Sequence, residues 1–284
     1  MTRVAAVQLA PVVGALAANA ATIQAALDAV PDDVDVVVLP ELATSGYVFR
    51  DADEARSCAV TAQDATVSGW ATTASRLARG TGGIVIGGFA ELGDDGAVYN
   101  AAAVVDRTGV VGVYRKVHLW DGEKACFTPG AQGPLVLDTP HGRIGVAICF
   151  DMEFPEWTRM AALDGAEMLA VPTNWPWVDR PEGERAPEVQ IAMAAARVNR
   201  MAIVCADRCG TERGVDWNEG TTIVDADGWV RASTGPGAGM VVADLDLVAN
   251  RDKTLTPRAD LLGDRRPDLY QALSRPGRVG HRGR

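Results

Sequence analysis

Histidine is scarce in this chain, cysteine is irregularly placed, and no apolar run is long. Only His118, His141 and His281 occur among 284 residues. The five cysteines (Cys58, Cys126, Cys149, Cys205 and Cys209) are odd in number, sparse and without short regular spacing. That pattern gives no disulfide framework and fits a reducing interior. Without a C-x-x-C pair and with so few histidines, a zinc site is not expected, nor is any other cofactor. No stretch approaches the roughly 20 uninterrupted apolar residues that span a bilayer. Val4 to Ala21 has the look of a leader, but only Arg3 precedes it and Gln8 and Pro11 interrupt it. It reads better as a first strand, and the protein is expected to be cytoplasmic. Excess positive charge is also missing, since 27 Lys and Arg against 37 Asp and Glu leave a net charge of −10. Nucleic acids and anionic membranes both reward a basic face, so neither is an expected partner.

Nearly half the residues, 48%, are hydrophobic, ample for a core, although length alone fits one large domain or two small ones. Short β-rich apolar runs alternate with longer alanine-rich stretches. The runs predict strands over 3–8, 34–39, 83–90, 98–106, 110–114, 134–138, 143–148, 167–172, 201–206, 220–225, 229–232 and 240–246. Several are continuously apolar, as strands covered on both faces are. Helices are predicted over 16–29, 65–79, 155–164 and 184–200. Turn signals stand at residues 93–96, 106–109 and 225–228. The pattern alone gives an α/β protein with mixed sheets. From Arg251 the chain turns basic and rich in Pro and Gly, and disorder is expected over 275–284.

Three of the strand ends carry chemistry. Glu41 follows an apolar run in VVVLPELATSGY (36–47), Lys116 lies in YRKVHLW (114–120), and Cys149 ends a run in GVAICFDMEFPE (145–156). A thiol attacks only as thiolate, so it needs a base for its proton and a cation to favour the negative charge. Glutamate and lysine supply both without a histidine. Each residue alone has a bland reading as core, turn or solvated charge. Together, at the polar exits of apolar strands, they read as one site.

These three segments resemble, in order, the glutamate, lysine and cysteine motifs of the nitrilase superfamily of carbon–nitrogen hydrolases. FTPG (127–130), DGAEMLAVPTN (164–174) and GTTIVDADG (220–228) are similar as well, and the likeness runs from Val4 to Tyr270. The resemblance implies a four-layer αββα sandwich forming one domain over 1–270, with 271–284 a basic tail. It implies a homodimer or higher homo-oligomer with Arg251 to Tyr270 at the interface. Glu41 would be the base, Cys149 the nucleophile, and Lys116 with the Phe150 N–H the oxyanion holders. Glu123, seven residues past Lys116, matches a second glutamate that positions substrate. His118 looks structural, tying its loop by hydrogen bonds. Tyr47, Asn174, Trp175 and Glu153 would shape the pocket. Phe150-Asp151 replaces the Trp-Glu of true nitrilases, and Glu153 stands where branches acting on dicarboxylic monoamides carry arginine. The implied reaction is hydrolysis of a small carboxamide by water, giving acid and ammonia through a thioester. An N-carbamoyl hydrolase or a nitrilase with the same residues, and a silent binding module, are the alternatives.

Overall fold

Walking along the computed structural model, which describes residues 1–275, the strands appear where the apolar runs predict them. They are β1 (Thr2–Gln8), β2 (Val36–Val38), β3 (Ile84–Leu92), β4 (Val98–Asp106), β5 (Gly109–Arg115), β6 (Leu135–Thr139), β7 (Gly142–Val146), β8 (Met168–Pro172) and β9 (Ala202–Ala206). A two-strand ribbon, β10 (Thr211–Glu212) with β11 (Val215–Asp216), precedes β12 (Thr222–Val224), β13 (Val230–Ser233) and β14 (Gly239–Leu245). Every expected strand is present, with ends shifted by two residues or fewer.

Two six-stranded sheets share one plan. The first runs β14-β1-β2-β3-β4-β5 and the second β13-β12-β9-β8-β7-β6. In each, three central strands are parallel (β1, β2, β3 and β7, β8, β9) and antiparallel strands flank them. Side chains alternate across a strand, and the sequence uses both faces. Val4, Ala6, Val36, Val38, Ile84 and Ile86 pack into a core shared with Ile144, Val146, Met168 and Ala170 of the second sheet. Their neighbours Ala5, Val7, Val37 and Val85 face the other way, onto Ile23, Leu27, Trp70 and Ala74.

Those last residues come from α1 (Leu16–Asp28) and from a broken helical stretch. Between them lies α2 (Ala52–Cys58), which has no counterpart among the predicted helices; α3 (Ala65–Ser68) and α4 (Trp70–Arg76) follow. The single helix expected over 65–79 is therefore two, separated at Gly69, a residue that weakens a helix interior. The stretch ends at Ala78 and Arg79, both at positive φ. A short α5 (Glu123–Cys126), then α6 (Pro155–Leu163) and α7 (Pro187–Asn199) complete the set. Ala161 and Ala162 of α6 and Ala192, Ala195 and Ala196 of α7 pack in the second sheet's core. The result is helix, sheet, sheet, helix: the αββα sandwich. Proline at the first turn of α6 and of α7 marks both starts, since its missing N–H has no acceptor there anyway.

The chain divides into two compact units, Met1–Asp252 and a smaller one from Lys253 on. The second holds a ribbon of β15 (Thr254–Thr256) and β16 (Ala259–Asp260). Of the tail expected to be disordered, residues 276–284 lie outside the described residues. No helix among the described residues is long and apolar enough to cross a membrane.

Candidate active site

Glu41 lies three residues beyond β2, in a turn that closes because Leu42 takes a left-handed backbone, φ 47°. The turn presses on β3, where a Cβ at Gly88 would sit 2.4 Å from Leu42 N and 2.5 Å from Glu41 Cα. Only glycine admits that approach. Lys116 directly follows β5, its carbonyl accepting from Gly130 N and its N–H donating to Asn100 O, both at 2.8 Å. Cys149 opens a 3-10 turn over Cys149–Glu153 with φ 47°, a conformation that costs a non-glycine residue roughly 1 kcal/mol or more. The sharp strand-to-turn bend sets the thiol apart from β7.

The side chains converge in a buried cluster. Lys116 Nζ donates to Glu41 Oε1 and to Glu123 Oε1, each at 2.7 Å. Asn100 Nδ2 donates to the same Glu41 Oε1 at 2.7 Å. Glu41 Oε2 is buried and has no hydrogen-bond partner among the described residues. Glu123 is held from two more sides, by Tyr47 OH at 2.6 Å and by Trp120 N at 3.1 Å. Asn174 joins base to nucleophile: its Nδ2 donates to Glu41 O at 2.9 Å, and Cys149 Sγ lies 3.9 Å from its carbonyl oxygen. Glu41, Lys116 with Glu123, and Cys149, which come from three stretches of the sequence, thus share one place, with Tyr47 against them.

Burial decides the electrostatics. Loss of solvation pushes the Glu41 carboxyl up to about 7, Lys116 opposing and Glu123 adding to the rise. Burial alone would favour neutral lysine, but Glu123 and Glu41 outweigh it and hold Lys116 above the ordinary lysine range. Cys149 is raised well above an ordinary thiol by burial and then by the Glu41 charge, Lys116 pulling the other way. Burial and the Glu41 charge both favour the protonated thiol.

A cavity of about 130 Å³ opens on Cys149, with Trp120, Phe150, Glu153, Asn174 and Trp175 in its lining, whereas Tyr47, expected to shape the pocket with them, is not among its lining residues and bonds Glu123 instead. Trp177, two residues past Trp175, is instead half exposed at 52% with Arg180 stacked on it. His118 lies apart from the cluster's charges. Its N–H donates to Asp151 Oδ1 at 3.0 Å and its Nδ1 lies 2.7 Å from the same oxygen. Asp151 Oδ2 accepts from Ile148 N and Tyr114 OH, so one buried carboxylate ties the lysine loop to the cysteine turn.

Sequence reading missed three supporting residues. Asn100 is a polar residue inside β4 and looks like any surface amide. Asp207, just past β9, accepts from Trp175 N, Arg208 N, Gly220 N and Thr173 Oγ1, fixing the Asn174–Trp175 loop. It stands at the exit of an apolar strand, the signal that marks Glu41 and Cys149. Glu212 Oε2 accepts from Tyr47 N, Val48 N and Arg208 Nη1, and nothing in its short ribbon announces that role. Among the described residues no group of His, Cys, Asp and Glu is placed to hold a metal.

The carbon-nitrogen hydrolase family model matches residues 3–252. A protein of Pyrococcus abyssi named nitrilase is 36% identical over 236 residues, covering 83% of this chain and 86% of its own. An N-carbamoylputrescine amidase of Solanum tuberosum is 33% identical over 216 residues, covering 69% of this chain and 70% of its own. Among solved structures, a mutant of the amidase from Nesterenkonia sp. AN1, described as showing acrylamide added at its active-site cysteine, superposes with a TM-score of 0.75. It is 27% identical, and the match covers 96% of this chain and all of the other. A fold of this plan, a family match across nearly the whole of its first unit and relatives of this similarity place the chain in the carbon–nitrogen hydrolase family of the nitrilase superfamily.

Proposed function

We propose that the protein hydrolyses a small carboxamide to a carboxylic acid and ammonia through a thioester on Cys149. The observation that carries this is the unpartnered Glu41 Oε2 in a buried cluster with Lys116 and, through Asn174, with Cys149. Glu41 Oε2 takes the thiol proton as sulfur attacks the carbonyl carbon. A carboxyl near 7 is a far better match for a thiol than an ordinary one. The carbonyl electron pair moves onto oxygen. Lys116 has three N–H donors, two of them used on glutamates, and the third serves the oxyanion. The Phe150 N–H, in the first turn of a 3-10 segment where N–H groups lack intrahelical acceptors, is the second donor. As the C–N bond breaks, Glu41 returns the proton to nitrogen and ammonia leaves. Water then attacks the thioester, giving its proton to Glu41, and the thiol is restored. Glu123, pinned by Tyr47 and Trp120, keeps Lys116 in place.

A second reading uses the same residues on a ureido substrate, and the likeness to the N-carbamoylputrescine amidase supports it. Ammonia release from a panel of amides, ureido acids and nitriles separates the two. Cys149→Ala should abolish turnover in a protein that stays folded by circular dichroism. Mass spectrometry after one equivalent of iodoacetamide should find the label on Cys149. Label mainly on Cys58, Cys126, Cys205 or Cys209 would sink the assignment.

A further inference from the structure

The hydrolysis leaves one buried ion pair without a task. Arg208 and Glu212 are 1% and 5% exposed, and Arg208 Nη1 donates to Glu212 Oε2 at 2.8 Å. The loss of hydration offsets most of what the attraction of such a pair gains, so the pair by itself adds little stability. Its neighbours give it a purpose. The same Glu212 oxygen accepts from the backbone N–H groups of Tyr47 and Val48, at 2.9 and 2.8 Å. Arg208 is fixed on two further sides: its Nη2 donates to Pro11 O at 2.7 Å, and its guanidinium lies 4.4 Å over the Trp217 ring. The ribbon that carries Glu212 is locked as well. Arg213, in its turn, donates to both carboxylate oxygens of Glu54 in α2 and to Val48 O.

Tyr47 is where this clamp meets the catalytic cluster. Its ring stands edge-on to Trp217 with the centroids 5.5 Å apart. Its OH donates to Glu123 Oε1 at 2.6 Å, the oxygen that also accepts from Lys116 Nζ at 2.7 Å. Trp120 N holds the other Glu123 oxygen at a longer 3.1 Å. The path from Glu212 to Lys116 therefore runs through Tyr47 and Glu123, with a hydrogen bond of 2.9 Å or shorter at each step between residues.

We propose that Glu212, held by Arg208, is a positioning residue: it sets Tyr47, and through Tyr47 the place of Glu123 against Lys116 and Glu41. This role rests on the reaction proposed above, in which Glu41, Lys116 and Cys149 are the reacting groups. The titratable groups that face Glu41 are Lys116, Glu123, Cys149 and Tyr47. Burial raises the Glu41 carboxyl most, Lys116 opposes the rise and Glu123 adds to it. Burial and then Glu41 raise the Cys149 thiol, Lys116 opposes, and Glu123 adds there too. A Glu123 that drifts away thus lets both groups release their protons at lower pH.

The test is a double-mutant cycle of Glu212→Gln and Tyr47→Phe, read on the pH–rate profile of kcat/KM for propanamide. Each single variant should move the acid limb down by about half a pH unit or more and cut kcat roughly tenfold, with KM changed by less. The double variant should match Tyr47→Phe alone, because both losses reach Glu123 by one path. A pair that only supports the fold would lower kcat through the fraction folded and leave the limb in place. A limb unmoved in Glu212→Gln, or two shifts that add in the double variant, overturns the proposal. Glu212→Gln leaves Arg208 buried without its ionic partner. Should it fail to fold, Arg208→Met combined with Glu212→Gln removes both charges and takes its place in the cycle. Should no amide be turned over, the reaction reading fails and positioning is read on the thiol instead. The acid limb for alkylation of Cys149 by iodoacetamide should then move down in the same variants with the same non-additive pattern, and an unmoved limb overturns the proposal.

Discussion

Glu41 spends its two oxygens differently. Oε1 holds Lys116 and Asn100, while Oε2 has no hydrogen-bond partner among the described residues. In the proposed reaction Glu41 acts as a base only when ionised, so kcat/KM should fall as pH drops through about 7. Asn100 donates to the charged form, and hydrogen bonds to charged groups contribute about 1.5–3 kcal/mol. Asn100→Leu should therefore move the acid limb upward by about one pH unit or more. A pH–rate profile with its limb unmoved, or moved down, rejects that account. The contrast with the sequence reading is instructive at this scale. Glu41, Lys116 and Cys149 were legible because each is a reactive residue at the exit of an apolar strand. Asn100 was not, because its importance comes from a carboxylate 59 residues away that only folding brings near.

Strands and helices place these groups by close approach, and one of the tight ones lies between β3 and the Glu41 turn. Gly88→Ala would put a methyl 2.4 Å from Leu42 N. The turn must give way, at about 1–3 kcal/mol of stability by analogy with overpacked cores. Thermal melting should drop by about 2–4 °C for each of these kcal/mol, and kcat should fall by roughly tenfold or more as Glu41 moves. Full activity would show that the turn is not what aims Glu41. Asp207 ties β8, β9 and the loop before β12, and burial raises its carboxyl to about 6. Its folded value exceeds its unfolded one, so between pH of about 4 and 6 the native chain holds a proton that the unfolded chain has released. Its contribution to stability thus grows as pH falls through that window and fades as pH rises. The slope of melting temperature against pH there should lose that component in Asp207→Asn, which also breaks the four-donor arrangement and melts several degrees lower. Coincident slopes would remove Asp207 from the account. The elements themselves were legible wherever an apolar run had a clear period. Helix α2 was not, because it is short and mostly polar. Its start was nevertheless written in the sequence: Asp51 Oδ1 accepts from Glu54 N, and Glu54 Oε2 accepts from Arg50 N.

For the whole molecule, we propose a homodimer with Arg251 to Tyr270 at its interface. In the second unit Leu269 and, just beyond that range, Leu273 are 67% and 63% exposed, with Leu255 and Tyr270 also showing apolar surface. Light scattering at micromolar concentration should give about twice 29.9 kDa, and Leu269→Lys with Leu273→Lys should return it toward the single-chain value. A mass of 29.9 kDa for the intact chain rejects the pairing. The pairing of β1 with β14 reaches across the sequence in another sense, joining Thr2 to Leu245 and Gln8 to Gly239. During synthesis β1 waits for β14, the last strand of its unit, before its outer edge is covered. Until then a row of unpaired backbone groups and apolar side chains is open to neighbouring chains. Cys149 is made well before that closure, so a chain stalled in synthesis carries a thiol without a finished site around it. The completed enzyme and the danger of misassembly during translation are separated by one strand, Gly239–Leu245.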